Sequence, residues 1–254
     1  MQAFAALRIF LLFGTALFSV VAALPNYSAR AQDVPSSDAG AVVNLRIEGA
    51  NNTIFEGPIF TRGHNVTTVS GGTHHCDGTN LNANLTPGPT CTSALDDASK
   101  LARFTWDGTF DPTFDDFFIT RIASSAETTT QFWGLLLNFQ FTPVGGCQQE
   151  VQRGDRVLWA FDAFNKAHFL SLSGPSSVRV GERITLTVTD GMSGTAIEGA
   201  QVVETGDGPG ASLEELSDAN GEVSFTFTSP GTRAFKAGRE DSLRSNAVEI
   251  LVLL

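Results

Sequence analysis

The chain has 254 residues, 42% of them hydrophobic and 17% charged. That is apolar mass for one large or two ordinary domains with buried cores, and it excludes wholesale disorder. With 27 acidic against 16 basic residues the net charge is −11, a surface that repels phosphate backbones and anionic lipid and so argues against nucleic acid or a lipid surface as partner.

Arg8 precedes an apolar run from Ile9 to Leu24, and small-residue cleavage sites follow at Val21-Ala22-Ala23 and Ala29-Arg30-Ala31. This order predicts a secretory signal over 1–31, cleaved after Ala23 or after Ala31. The run is 16 residues long, below the roughly 20 needed to span a bilayer, so no membrane span is expected in the mature form. Cleavage after Ala31 removes Arg8 and Arg30 and takes the net charge to −13. Residues 32–40 read as a polar, flexible N-terminus. The apolar end from Ala247 to Leu254 is too short for a glycolipid-anchor tail. Sequons at Asn26, Asn51, Asn65 and Asn84 agree with export. Asn26 drops out if cleavage follows Ala31. The expected location is secreted, extracellular or cell-wall associated.

Twenty Phe among many Thr, Val and Ser favour strands over helices. Val43, Leu45 and Ile47 alternate with Asn44, Arg46 and Glu48, the pattern of a half-buried strand. Glu48 to Asn52 is turn chemistry, and Thr53 to Phe60 is the returning strand of a hairpin. Thr61 to Cys91 reads as a long irregular segment. Three cysteines are present. The local pair Cys76–Cys91 is the expected disulfide, closing a polar loop and worth about 3 kcal/mol in the chain-entropy account. Cys147 is left over, either buried or a competitor for one partner. One helix follows, capped by Thr92 or Ser93, with Ala94, Leu95, Ala98, Leu101 and Ala102 on one face. Short aromatic or β-branched runs at 104–108, 117–122, 131–141 and 156–164 complete an α+β layer. A boundary falls near 171–177. Beyond it Ile184, Leu186 and Val188, then Val223, Phe225 and Phe227, alternate with Thr and Ser, and turn signals recur, including 206–210. That predicts a small β-sandwich.

The stretch from Gln131 to Phe164 holds two of the three tryptophans. Indoles on alternating strands mostly fill cores, yet Trp133 beside Gly134, which leaves room for close approach, is the candidate ligand-facing aromatic, with Trp159 as its companion. Arg153-Gly154-Asp155 spells an adhesion tripeptide but has the makeup of a hairpin turn. His64, His74, His75 and Asp77 are the candidate metal ligands, suited to zinc, although the adjacent histidines point apart on an extended chain. Asp107, Asp111, Asp115 and Asp116 are a carboxylate cluster of a kind that can hold calcium, or a solvated acidic face. No cofactor is required by the sequence. It contains no Gly-x-Ser-x-Gly elbow, phosphate loop or dinucleotide fingerprint, so a non-enzymatic protein is expected.

Several segments carry a family resemblance: the Val-Asn-Leu-Arg-Ile-Glu-Gly strand, Ile54 to Gly57, the Ala94-Leu95-Asp96 helix, Trp133-Gly134 followed by Asn138, and Gly154-Asp155 before Val157 and Trp159. In this order they make residues 41–172 resemble the transcobalamin C-terminal-like domains, and the 73–78 and 160–168 runs resemble secreted proteins of filamentous fungi. The resemblance implies a β-grasp-like sheet with one helix. In animal cobalamin carriers the similar domain supplies one wall of the corrinoid site, while the other comes from a helical barrel that has no counterpart here. Val180 to Glu182, Glu198 to Val202, Asp218 to Val223 and Ser245 to Val248 make 173–254 resemble immunoglobulin-like or carboxypeptidase-regulatory-like modules, which usually act as spacers. The expectation is a mainly β, two-domain recognition or scaffold protein, with cell-wall polysaccharide or a surface protein as partner. Its rival is a carrier of a cobalamin-like or other planar ligand.

Overall fold

The computed structural model describes residues 40–205 and 213–254. The expected leader, the rest of the polar N-terminus, the Asn26 sequon and the 206–210 turn lie outside the described residues. Those described are mainly β with one α-helix, the expected class.

β1 (Ala41–Glu48) and β2 (Thr53–Thr61) form the expected hairpin. β3 (His64–Thr68) and β4 (Gly72–Cys76) form a second one, within the stretch expected to be irregular. Val66 and Thr68 point inward and Asn65 and Thr67 outward, a period-2 signal too short and too polar to stand out. The helix α1 (Cys91–Ala102) is capped by Thr90, not by Thr92 or Ser93. Thr90 Oγ1 accepts from Ser93 N at 3.0 Å and Ser93 Oγ accepts from Thr90 N at 2.8 Å, a reciprocal capping box. Ala94, Leu95 and Ala98 are fully buried. Leu101 and Ala102 are exposed in the last turn, after which Arg103, in the left-handed region at φ 60°, ends the helix.

The chain continues through β5 (Trp106–Asp111), β6 (Asp116–Ile122), β7 (Ser125–Ala126), β8 (Trp133–Leu137), β9 (Gln140–Phe141) and β10 (Arg156–Phe161). The main sheet has the order β2-β1-β10-β8-β9, and only β1 and β10 are parallel. The remaining strands are β11 (His168–Ser173), β12 (Ser177–Arg179), β13 (Arg183–Asp190), β14 (Gln201–Glu204), β15 (Glu214–Leu216), β16 (Glu222–Thr226), β17 (Gly231–Gly238), β18 (Ser242–Leu243) and β19 (Val248–Leu253). They make two sheets, β16-β13-β11-β18 and β12-β19-β17-β14-β15, around a core that includes Leu186, Val188, Phe225, Phe235 and Ile250. β11 pairs with β13 and β18, while its Phe169 packs on the main sheet.

The central strands β8 and β10 of the main sheet are buried on both faces. Leu135, Val157, Trp159 and Phe161 join the core shared with α1. The intervening Leu136, Leu158 and Ala160 pack with Phe139, Ala163, Phe169 and Leu243 in a separate cluster that reaches the second module. This explains why 135–137 and 157–161 are unbroken apolar runs rather than alternating ones. β1 differs. Its apolar face joins the α1 core, but Arg46 and Glu48, expected to face water, are 7% and 0% exposed.

The expected Cys76–Cys91 bridge is not formed; Cys76 is bonded to Cys147, and Cys91 is a buried free thiol. As the first residue of α1, Cys91 is carried inward by the helix, beneath Trp159, whose indole N–H faces the Cys91 carbonyl at 3.5 Å. Its backbone N–H and that of Thr92 instead bind Gln149 O and Gly146 O. Those bonds draw the 145–149 turn over the helix start and bring the Cα atoms of Cys76 and Cys147 to 4.5 Å. Burial pushes the Cys91 thiol far up from its ordinary range, so it is unreactive while the protein is folded.

Non-reducing peptide mapping is expected to recover Cys76 joined to Cys147, with Cys91 alkylated only after unfolding. The bridge spans 71 residues, so Cys147→Ser should cost about 4 kcal/mol in the chain-entropy account. Cys91→Ser should leave the bridge intact. A Cys76–Cys91 peptide would contradict this pairing.

Candidate functional site

One face of the first module carries a long hollow. Its larger part, about 760 Å³, is lined by Phe110, Phe114, Asp116, Phe118, Val144 and Gln148 among others. It continues through Phe117, Phe118, Thr142, Val144 and Gly145 into a smaller part of about 260 Å³ that reaches Trp133, Gly134, Phe141, Trp159 and Phe164.

Local geometry explains each aromatic. The β5–β6 hairpin turn, with Asp115 at φ 50°, presents Phe114. On β6, Phe117 and Ile119 point inward, so alternation turns Phe118 outward. β9 presents Phe141, which stacks on Phe164 from the 3₁₀ turn Ala163–Asn165 at a centroid distance of 5.4 Å and 13° between planes. Phe114, Phe118 and Phe164 are 63%, 49% and 66% exposed. Single exposed apolar residues are normal, but several around one hollow mark an interaction surface.

At the floor lies Asp116, 5% exposed. Its Oδ1 accepts from Phe117 N at 2.7 Å and its Oδ2 from Cys147 N at 2.9 Å, which ties β6 to the disulfide-bearing turn. Burial pushes this carboxyl up to about 6, against the backbone N–H bonds that favour its charged form.

The residues singled out in the sequence do different jobs. Trp133 and Trp159 are 7% and 4% exposed. The Trp133 indole N–H donates to Ser125 O at 3.2 Å and its ring meets Phe161 edge-on. Both indoles therefore underlie the smaller hollow as packed core, and the aromatics exposed at its rim are phenylalanines. The space expected beside Gly134 is already filled: a Cβ there would lie 2.5 Å from the Ala163 Cβ. Gly134 serves close packing of the 3₁₀ turn on β8.

The four candidate metal ligands do not converge. His64 Nε2 donates to Asp96 Oδ2 at 2.8 Å while Nδ1 faces Arg62 O at 2.8 Å. Two acceptors call for the imidazolium, which leaves no lone pair for a metal. The Asp96 hydrogen bond, opposed by burial, holds His64 above its ordinary range. Burial pushes Asp96 up, but hydrogen bonds from His64 and Lys100 overcome it and hold it low. His74 stacks on Phe110 at 3.5 Å. His75 faces Asp115 at 3.6 Å. Asp77 accepts from Thr79 N and Oγ1. No group of three or more metal-ligating side chains occurs among the described residues. Of the four aspartates of the acidic stretch, Asp107 binds Ser70 and Asp111 binds Thr113 N, while Asp115 and Asp116 adjoin and Asp111 pairs with Asp116 across the hairpin.

Asn51 and Asn65 are exposed. Asn84 is half-buried, and its Nδ2 donates to Gly78 O and Gln148 O, so a glycan on that nitrogen would break one of these bonds. Gly154, at φ 90°, and Asp155, which accepts from Gln152 N at 2.7 Å, make the Arg-Gly-Asp tripeptide a turn.

No family model, curated protein or solved structure matches the chain. No helix among the described residues is long and apolar enough to cross a membrane.

The raised Asp116 carboxyl sets a pH dependence. Between about pH 4 and 6 the folded chain keeps a proton that the unfolded chain releases, so this group makes the fold less stable as pH rises through that window, by on the order of 3 kcal/mol. Asp116→Asn should remove that slope. Urea unfolding at pH 4 and pH 7 should show the variant gaining on the wild type at pH 7. A wild-type–variant difference that is the same at both values would refute the assignment.

Proposed function

We propose a secreted, non-enzymatic recognition protein whose first module holds a chain polysaccharide of the cell wall or its surroundings in the Phe114–Phe118–Phe164 hollow, with the second module as its rigid support. The observation that carries this reading is the set of exposed phenylalanines gathered around one open hollow on an acidic chain. Aromatic faces stack on the apolar faces of sugar rings, and a hollow open along its length suits a chain better than a small enclosed molecule. The exposed sequon residues Asn51 and Asn65 do not line it, so glycans there would leave it free.

A second reading has one supporting observation. Trp133 and Trp159 lie directly beneath the smaller hollow, as in a carrier for a planar ligand, the role the transcobalamin-type resemblance implies. Their fluorescence would respond to such a ligand.

Pull-down on a panel of insoluble wall polysaccharides is expected to retain the wild type on at least one. Phe118→Ala and Phe164→Ala should each weaken retention about tenfold, the loss of one stacking contact of about 1.5 kcal/mol. Retention on none, with tryptophan quenching by a corrinoid, would replace the polysaccharide reading by the carrier. Retention unchanged in both variants would remove the hollow as the site.

A further inference from the structure

A second cavity, of about 340 Å³, lies on the opposite face of the main sheet, where it meets the second module. Alternation places it. On β1, Asn44 and Arg46 face away from the α1 core, and the parallel register sets Asn44 beside Arg156 and Arg46 beside Leu158. Both guanidinium groups lie over one ring: the Arg46 and Arg156 Cζ atoms are 5.6 and 5.4 Å from the Phe139 centroid. Phe139 is held at φ 62° in the β8–β9 turn, a conformation uncommon for a bulky residue that marks a position fixed by its surroundings. It packs on Gly191, where a Cβ would lie 2.2 Å from the ring.

The charges around this cavity do not cancel. Among the described residues the carboxylates that Arg46, Lys236 and Arg244 face here are those of Glu48 and Glu56, while Arg156 adds a further positive charge. Both carboxylates are already engaged. Glu48 takes Lys236 and Arg244 at 2.9 Å each, and Glu56 takes Lys236 and the Ala247 N–H at 2.8 Å each. The Asn246 amide is likewise occupied by Leu172 and Ala247. Arg46 is left short. Its nearest carboxylate oxygen, on Glu48, is 3.9 Å away, beyond hydrogen-bond range, and its buried Nη1 has no partner among the described residues. A buried, partly unpartnered guanidinium is costly unless an anion completes it.

We propose that this cavity binds the oxyanion of a small molecule, a carboxylate or a phosphate, gripped by the guanidinium groups of Arg46 and Arg156. Two planar donor forks suit a bidentate oxyanion. Leu158 and the Phe139 ring, on the cavity side of the sheet, offer an apolar wall for an attached organic body. The site is separate from the aromatic hollow and does not depend on its function.

Isothermal titration calorimetry of the full chain at low salt, with benzoate and inorganic phosphate as separate probes, tests this. At least one probe is expected to bind with one-site saturation, and the one that binds identifies the class of oxyanion. Arg46→Gln and Arg156→Gln should each weaken it at least tenfold. Arg156 is exposed, so its variant keeps the test intact should the Arg46 variant fold poorly. Binding by neither probe, or binding undiminished in Arg156→Gln, would overturn the proposal.

Discussion

The fold is organised around a fully buried carboxylate, that of Glu48. A charge with no access to water must be paired and hydrogen-bonded. Glu48 accepts from Thr53 within its own hairpin, and its strongest partners come from far along the chain: Lys236 is 188 residues away and Arg244 is 196. Arg244 also donates to the Gly49 carbonyl, and Lys236 reaches Thr53 and Glu56. Glu48 is therefore satisfied only when the second module is in place. Beside it, the cluster of Leu136, Phe139, Leu158, Phe169 and Leu243 supplies the apolar part of the same joint. Directional ion pairs fix the orientation, and apolar burial supplies the driving force.

Both proposed sites inherit their shape from this joint. The β8–β9 hairpin serves each of them: Phe139 at its turn lies under the two guanidinium groups, and Phe141, two residues on, lines the aromatic hollow. Phe141 also meets Phe169 of β11 edge-on at 5.5 Å, so the rim of the hollow rests on the second module. The sandwich is more than a spacer on this account, because it completes the anion cavity through Asn246 and Ala247 and buttresses one end of the aromatic hollow.

Local patterns were legible in the sequence where a single period decided the outcome. The first hairpin, the apolar stripe of α1 through Ala98 and the alternating strands around Leu186 and Phe225 are of this kind. What escaped depended on pairings between distant residues. The alternation in β1 reads as one wet face, and nothing local distinguishes Glu48 from a solvated glutamate, since Lys236 and Arg244 cover it from the other end of the chain. Cysteine spacing favours the short loop, whereas the choice is made by the helix start, which turns Cys91 inward, and by the 145–149 turn, which delivers Cys147. The tryptophans drew attention because large aromatics carry binding, yet their strands are covered on both faces. The continuous apolar runs at 135–137 and 157–161 held that information. Phe114, Phe118 and Phe164 gather around one hollow only through tertiary structure. Phe118 had the most local signal, being the outward member of an alternating strand.

The most direct test of this account is calorimetric unfolding of the full chain beside its Glu48→Gln variant, in which the shape is kept and the charge removed. Half-buried Lys236 and Arg244 then lose the buried charge they share, Lys236 keeping Glu56 and Arg244 the Gly49 carbonyl, which costs on the order of 3 kcal/mol. The wild type should unfold in one transition. The variant should melt roughly 10 °C lower, with the second module separating as its own transition. A variant that unfolds in one transition at the wild-type temperature would contradict the claim that Glu48 joins the modules.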